Sequence, residues 1–389
     1  MKLDHRPVVH TLPVGGFANQ MIRTMAAFSI AERVENCRLS NIRLPDWGID
    51  HPAVPSAGGL TAGYHHPRIM QLRVDTLVQN LRMGNIERVE ISSYAQHLDN
   101  FLPVDFYRAL FADSVQDVPV FERTQVVINI RGAEVLDARH PDYTLVPIEF
   151  YRYVVERTGL EPVFMGQLEN NGYVARLKSA FPAARYVPSR GAMHDFALMR
   201  RAHNIIVSVS TFSWLAAYLS HASRIFVPLT GLYSPAQFPE IDLLPLDDPR
   251  YEYHLFPINY AVPVEEHESA HAAIRDRWVA ASPSDIVRIR RTQPVVCLDK
   301  EKFFRKLDED FYLRTYGDVR EAVQSGAVKS ALEHYVTQGF YQRRLPFRFD
   351  RVAYVRRYVE AAMAVANGGF AHPLHHFIEV GEAAGYTPF

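Results

Sequence analysis

Between residues 126 and 227 the apolar positions alternate between two textures. Short continuous runs at 126–130, 162–166, 185–187, 204–209 and 224–227 suit strands buried on both faces, and the segments between them, 148–157, 173–181, 193–201 and 211–219, suit helices. Such alternation predicts a parallel sheet wrapped by helices. The chain opens in the same way. A strand over 8–12 leads through Gly15-Gly16 into a helix over 19–34, with Met21, Met25, Phe28 and Ala31 at helical spacing, and a second strand is expected over 39–44. Residues 45–67 then gather prolines and glycines into what reads as a long irregular loop.

Beyond residue 263 the pattern changes to a charged helix over 265–280, a polar linker carrying Arg288, Arg290 and Arg291, and an aromatic tail. The tail repeats itself. Tyr312 and Tyr354, Tyr316 and Tyr358, His334 and His376, Tyr335 and Phe377, Gly339 and Gly381, and Pro346 and Pro388 all pair at an offset of 42 residues. Two copies fall short of the roughly three that a free-standing solenoid needs, so they are expected to dock on each other or on the rest of the chain. The paired tyrosines, four apart on one helical face, read as packing, with carbohydrate or partner binding as the sharper alternative.

Composition narrows the function. The 389 residues are 48% hydrophobic and 22% charged, which is globular material for two or three domains. A formal net charge of −1 supplies no field for gathering polyanions, so nucleic acid is not an expected partner. Cys37 and Cys297 make neither a disulfide framework nor a zinc cluster, and a reducing compartment is the simplest setting. No signal-peptide core is expected at residues 1–10, and polar residues break the apolar stretch 205–227, which is therefore not a membrane span. The expected location is cytoplasmic. Peripheral attachment at the inner face of a membrane, through Arg288, Arg290 and Arg291, is the alternative to a solvated linker. His65-His66 and His372 with His375-His376 lack acidic partners at ligand spacing, so no metal site is expected.

Three strand-to-helix turns carry candidate chemistry. In Gly15-Gly16-Phe17-Ala18-Asn19-Gln20 the glycines let backbone approach a ligand and Asn19 both donates and accepts. Asn129-Ile130-Arg131-Gly132-Ala133-Glu134 ends an apolar strand on an arginine whose planar fork suits a phosphate. Ser208-Val209-Ser210-Thr211-Phe212-Ser213-Trp214 passes through hydroxyls into a helix, where free N–H groups make a cradle for a diphosphate. Taken singly, each turn reads equally well as a helix cap or a local ion pair, and Asp195 as an N-terminal charge complement. Together, at the carboxyl ends of successive strands, they point to a nucleotide-sugar diphosphate.

These residues resemble the bacterial α-1,2-fucosyltransferases, within the superfamily that includes the α-1,6 and protein O-fucosyltransferases. GGFANQM resembles the family's GGLGNQM. Asp195-Phe196-Ala197-Leu198-Met199, His203-Asn204-Ile205-Ile206 and Ser210-Thr211-Phe212-Ser213-Trp214-Leu215-Ala216-Ala217-Tyr218-Leu219 are similar to its D-x-x-L-M, H-x-I-I and STFSWWAAWL run. The likeness spans residues 8–257. The central motif departs from it: where the family shows H-x-R-R-x-D, this chain has Asn129, Arg131, Gly132 and Glu134, keeping only the first arginine.

The resemblance implies an α/β fold of two Rossmann-like lobes (GT-B) with a small, mostly α-helical C-terminal domain. The boundaries are 1–120 for an acceptor-side lobe, 121–260 for a nucleotide-sugar lobe, 261–300 for a helix and linker, and 301–389 for the repeats. It implies an inverting glycosyltransferase that moves fucose from GDP-fucose to a hydroxyl of a glycan or lipid-linked oligosaccharide in surface polysaccharide synthesis, with no metal and no cofactor beyond the donor. In that reading Arg131 stabilises the leaving diphosphate, and Glu134, or failing it Asp137, takes the acceptor's proton. Gly16, Asn19, Asn129, Asp195, Ser210, Thr211, Phe212 and Ser213 bind the donor, and Asp46, Trp47 and His65 shape the acceptor pocket. The alternatives are a transferase of GDP-colitose or another GDP-6-deoxysugar, and a non-catalytic glycan- or nucleotide-binding module.

Overall fold

Two parallel sheets carry the chain. The computed structural model describes every residue except 1–5, 14, 57, 66–68, 114, 133–134, 136–139, 263–265, 293–297 and 367–368. The first lobe begins with β1 (Val8–Thr11), α1 (Phe17–Ala31) and β2 (Arg38–Ser40), continues through the hairpin β3 (Ile42–Leu44) and β4 (Ile49–His51), and closes with β5 (Thr61–Tyr64), α2 (Val74–Arg82), β6 (Arg88–Ile91) and α3 (Val104–Leu110). Its sheet runs β2-β1-β6-β5, all parallel. Val9, Val89 and Ile91 are fully buried in it, and Met21, Ile22, Met25 and Ala26 of α1 pack onto it.

The second lobe is built from β7 (Gln125–Ile130), α4 (Ile148–Thr158), β8 (Glu161–Gly166), α5 (Gly172–Ala180), β9 (Arg185–Pro188), α6 (Ala192–Arg200), β10 (Asn204–Ile206), α7 (Thr211–Leu219), β11 (Arg224–Leu229) and β12 (Tyr251–Leu255), followed by α8 (His267–Ile274), β13 (Val279–Ala281) and α9 (Pro283–Thr292). The sheet order is β13-β12-β11-β10-β7-β8-β9, with only β13 antiparallel. The chain lays β8 and β9 to one side of β7 and then returns to lay β10 and β11 on the other. The topological switch therefore falls between β7 and β10. Each lobe is the expected α/β unit, and one apolar core runs through both.

Several local expectations change. The strand foreseen over 39–44 is two strands, because Asn41 adopts φ +60° and exchanges hydrogen bonds with Thr11: Asn41 Nδ2 donates to the Thr11 carbonyl at 2.7 Å and Thr11 Oγ1 to the Asn41 carbonyl at 2.9 Å. That turns the chain out of the sheet and into the β3–β4 hairpin. The loop over 45–67 holds β4 and the edge strand β5, whose Thr-Ala-Gly-Tyr sequence has too little apolar alternation to announce a strand. The helix expected over 265–280 ends at Ile274, and the chain then adds β13 to β12. The polar linker is a helix, α9. Its Ile286 is fully buried, and Arg290 forms a two-pronged ion pair with Asp242, at 2.7 and 2.6 Å. Arg288 pairs with Asp285. Two of the three arginines considered for membrane contact are thus engaged within the protein. Among the described residues no helix is long and apolar enough to cross a membrane.

The tail has its own core. After α10 (Lys300–Phe304), one copy comprises α11 (Glu309–Thr315), α12 (Gly317–Gln324) and α13 (Ala331–His334), and the next α14 (Arg351–Arg357), α15 (Val359–Ala366) and α16 (Pro373–His376). The sequence period is a period of contacts. Tyr312 Oη meets His334 Nδ1 at 3.0 Å and Tyr354 Oη meets His376 Nδ1 at 2.8 Å, and Asp308 and Asp350 cap the equivalent helices α11 and α14. The first copy docks on the second lobe through Arg343, whose Nη1 lies 3.3 and 3.4 Å from the Asp142 carboxylate oxygens and donates to the Gln237 carbonyl at 3.0 Å.

Candidate functional site

A cleft of about 350 Å³ opens at the switch point, where the carboxyl ends of β7 and β10 face the β1–α1 turn of the first lobe. Parallel α/β sheets place ligands there because the connections on either side of the switch run in opposite directions and leave a crevice. Three helices point their N-termini into it. Gly16 and Phe17 begin α1, Ala192 begins α6, and Ser210 and Thr211 begin α7; all five residues line the cleft, and no side chain caps any of the three helices. Free first-turn N–H groups and the positive ends of the helix dipoles therefore converge on one space.

Arg131 supplies the full charge. It follows β7, and its Nη1 donates to Ser210 Oγ at 3.3 Å, while its guanidinium carbon lies 5.0 Å from the centre of the Tyr143 ring. Behind it Ser208 Oγ donates to Asn129 Oδ1 at 3.2 Å, joining the two strands on either side of the switch. Gly132 N donates to Gln167 Oε1 at 2.9 Å, so the loops after β7 and β8 are tied together as well. Gly166 ends β8 at φ +96°, and a Cβ there would sit 2.7 Å from the Ile130 carbonyl oxygen and 2.8 Å from Asn129 Nδ2. Only glycine lets the two strand ends approach this closely.

On the first lobe Asn19 lines the cleft with its Oδ1 held by Gln96 Nε2 at 3.0 Å. Phe17 bridges the lobes, with its ring 5.5 Å from Phe196 of α6 and 6.0 Å from Phe212 of α7. Asp195 is the one carboxylate lining the cleft among the described residues; it is 6% exposed, and its Oδ1 accepts from the Arg190 backbone N–H at 3.2 Å. Tyr233, fully buried behind α7, donates its hydroxyl to the Ser210 carbonyl at 2.6 Å, and burial holds its ionisation well above the ordinary tyrosine range.

Gly16, Asn19, Asn129, Arg131, Asp195, Ser210, Thr211 and Phe212 are thus brought to one cleft. Ser213 is not. It is completely buried, and its Oγ accepts from Ser208 N at 3.0 Å, bracing the strand-to-helix turn from beneath. The three residues proposed for an acceptor pocket do not line the cleft either. Trp47 is half-buried, with its ring 5.3 Å from that of Phe111 in a T-shaped contact and 5.6 Å from that of Phe17. Asp46 is exposed in the turn before it. His65 is exposed at the end of β5, with Nδ1 3.3 Å from Ser92 Oγ and Nε2 3.6 Å from Glu90. Glu134 and Asp137 lie outside the described residues.

Sequence reasoning missed Tyr143, Gln167, Ser189 and Ala192 as cleft residues. Gln167 follows directly on the strand expected over 162–166, so counting one residue past that strand end would have found it, whereas Ser189 follows β9, which runs one residue beyond the 185–187 expected. Tyr143, in the long connection after β7, had no such signal. Among the described residues no group of three His, Cys, Asp or Glu side chains converges as a metal ion requires.

No sequence model of a known family matches the chain, and no curated protein matches it. Among solved structures it is similar to a glycosyl transferase family 9 protein from Veillonella parvula, at 12% identity and a TM-score of 0.36 over 75% of this chain and 98% of that one. It is also similar to the E. coli ADP-heptose lipopolysaccharide heptosyltransferase II, at 10% identity and a TM-score of 0.35 over 73% of this chain and 97% of that one. A third likeness is to the iron-containing dodecameric glycosyltransferase TibC of enterotoxigenic E. coli, at 13% identity and a TM-score of 0.35 over 75% of this chain and 76% of that one.

Proposed function

We propose that the chain is an inverting glycosyltransferase that takes a GDP-6-deoxyhexose, fucose first, and transfers the sugar to a hydroxyl of a glycan or lipid-linked oligosaccharide. The observation that carries this reading is the convergence of three uncapped helix N-termini on Arg131 at the switch-point cleft. As the sugar–phosphate bond breaks, negative charge grows on the leaving diphosphate. Arg131 and the N–H groups opening α7 are aimed at that charge before it develops, which is the arrangement that lowers a barrier rather than merely binding substrate. Ser210 holds the guanidinium in place, and the Tyr143 ring beneath it limits its rotation.

Transfer also needs a carboxylate to accept the acceptor's proton as an oxocarbenium-like centre is attacked from the face opposite the leaving group. Glu134 is proposed for this role on its position in the motif after β7, with Asp137 second. Guanine, and fucose among the 6-deoxyhexoses, are proposed on the sequence resemblance alone.

The test is a calorimetric titration of the full chain with GDP, UDP and ADP in the presence of a chelator, followed by turnover assays with GDP-fucose. Selective GDP binding and release of GDP in the presence of an acceptor are expected. Failure to bind any nucleoside diphosphate overturns the reading, and GDP binding without turnover of any GDP-sugar reduces the protein to a binding module.

A further inference from the structure

A second cavity, of about 310 Å³, is lined in part by residues adjoining the cleft residues that open α1, its polar lining comprising Thr11, Gln20, Arg23, Thr24, Asn41 and Arg43. Two of these are cations and none is an acid. Arg23 is the unusual one. It is 2% exposed, and its Nε and Nη1 donate to the carbonyls of Ser93 at 3.0 Å and Leu12 at 2.8 Å, while its buried Nη2 has no hydrogen-bond partner among the described residues. Among the described residues no carboxylate pairs with it; burial draws its ionisation down to about 10, opposed by the Tyr94 phenol. A buried guanidinium is ordinarily paired, because an isolated charge in a low-dielectric site is costly. At the rim Arg43 is exposed and has no ion-pair partner among the described residues.

The cavity and the cleft share a wall. Gln20, which lines the cavity, donates from Nε2 to the Gly15 carbonyl at 3.0 Å, and Gly16 and Asn19, one step along, line the cleft. A Cβ on Gly15 would lie 3.2 Å from Asn19 Nδ2 and 3.3 Å from the Tyr94 ring. A Cβ on Gly16 would meet nothing within 4 Å, so a ligand can lie against the backbone there. Gly15 and Gly16 are the part of the shared wall that a sugar chain reaching from the cleft to the cavity would pass.

We infer that this cavity is an acceptor subsite for an anionic sugar residue, one bearing a carboxylate or a phosphate, with Arg43 and Gln20 contacting the anion and the buried Arg23 supplying the charge beneath it. The inference deepens the proposed function by assigning the chemical class of the acceptor. The experiment measures binding of methyl β-D-glucuronide, glucose 6-phosphate and neutral methyl β-D-glucoside to the full chain by ligand-observed NMR, with and without GDP. At least one anionic sugar should bind about tenfold more tightly than the glucoside, the size expected when a hydrogen bond to a charged group is gained. That preference should weaken with added salt and fall within about threefold in Arg43→Ala and Arg23→Gln.

Preference for the glucuronide alone identifies a uronic acid, and for the phosphate alone a phosphorylated residue. Equal binding of all three by the wild type, or a preference that survives both substitutions, overturns the inference. If Arg23→Gln does not fold, Gln20→Ala takes its place beside Arg43→Ala. Anion preference in a chain that binds no nucleotide strikes down the proposed function and leaves the subsite standing. GDP binding without anion preference does the reverse.

Discussion

Arg343→Met tests whether the helical tail is part of the machinery around the cleft or an appendage to it. The Arg343 and Asp142 side chains are 3% and 5% exposed, and the guanidinium also lies 4.4 Å from the centre of the Phe238 ring. Methionine keeps much of that apolar contact and removes the charge. Among the described residues, Asp142 is then buried with Gln237 Nε2, at 2.9 Å, as its remaining side-chain donor. Removing one member of a buried pair costs about 3–5 kcal/mol, because the other charge is left uncompensated. With an unfolding entropy of about 2.1 cal/mol/K per residue, that is a Tm about 4–6 °C lower for a chain that unfolds cooperatively. Replacing both partners, Arg343→Met with Asp142→Leu, should recover most of the loss, since a buried pair exchanged for apolar residues is often neutral, and the cycle should return a coupling of about 2 kcal/mol or more. Asp142 immediately precedes Tyr143, the ring beneath Arg131, so the single variant should also weaken GDP binding. Thermal unfolding and GDP titration of the four proteins decide the matter. A single variant whose Tm moves by less than about 1 °C, or a double variant no better than the sum of the singles, would refute the reasoning.

Three further outcomes follow from the site and its surroundings. Arg131→Ala should lower turnover about 10²- to 10³-fold, as loss of a preorganised donor does, and unchanged sugar transfer would exclude Arg131 as the group that stabilises the leaving diphosphate. Gly166→Ala should cost about 1–3 kcal/mol and damage nucleotide binding, since its Cβ meets the Ile130 carbonyl and the left-handed backbone strains any side chain; a fully stable, fully binding variant would contradict that. The rings of His140, His254, His271, His334 and His375 are held neutral, chiefly by burial, with ionisation lowered from 6.5 to about 4. The unfolded chain binds those protons first, so stability is complete above pH 6.5, falls as the pH drops from 6.5 towards 4 and levels off below; a Tm that stays flat between about pH 7 and pH 4.5 would show the rings titrating normally.

The alternation from residue 126 to 227 was legible because strands buried on both faces of a parallel sheet leave unbroken apolar runs, and α7 was bounded to the residue by the hydroxyls before it and Ser220 after it. The candidate site was legible for the same reason, since a motif at the end of a parallel strand has only one place to go. What escaped notice depended on contacts between distant residues. The helix α9 looked like a linker because its mean polarity hid one buried isoleucine and an arginine aimed at Asp242, 48 positions away. That Trp47 packs beside Phe111 and Phe17, outside the cleft lining, was likewise not legible in a proline-rich stretch.

The tail shows how a repeat can hide its most consequential residue. Matching positions 42 apart found the Tyr–His pairs that build the internal core, and the structure adds the capping aspartates, Asp308 and Asp350, at the same offset. Docking depends on a position where the copies differ. Arg343 corresponds to Gly385, and both adopt the left-handed conformation, at φ +55° and φ +77°. Glycine takes that backbone freely, whereas an arginine there costs about 1–2 kcal/mol. The first copy bears this cost where its guanidinium reaches Asp142 and the Gln237 carbonyl, and the second copy, with no side chain at that position, has nothing with which to make such a contact. A strained, charged residue breaking an otherwise regular repeat therefore marks the copy that is anchored to the second lobe, and Asp142 carries that anchor to within one residue of the cleft wall.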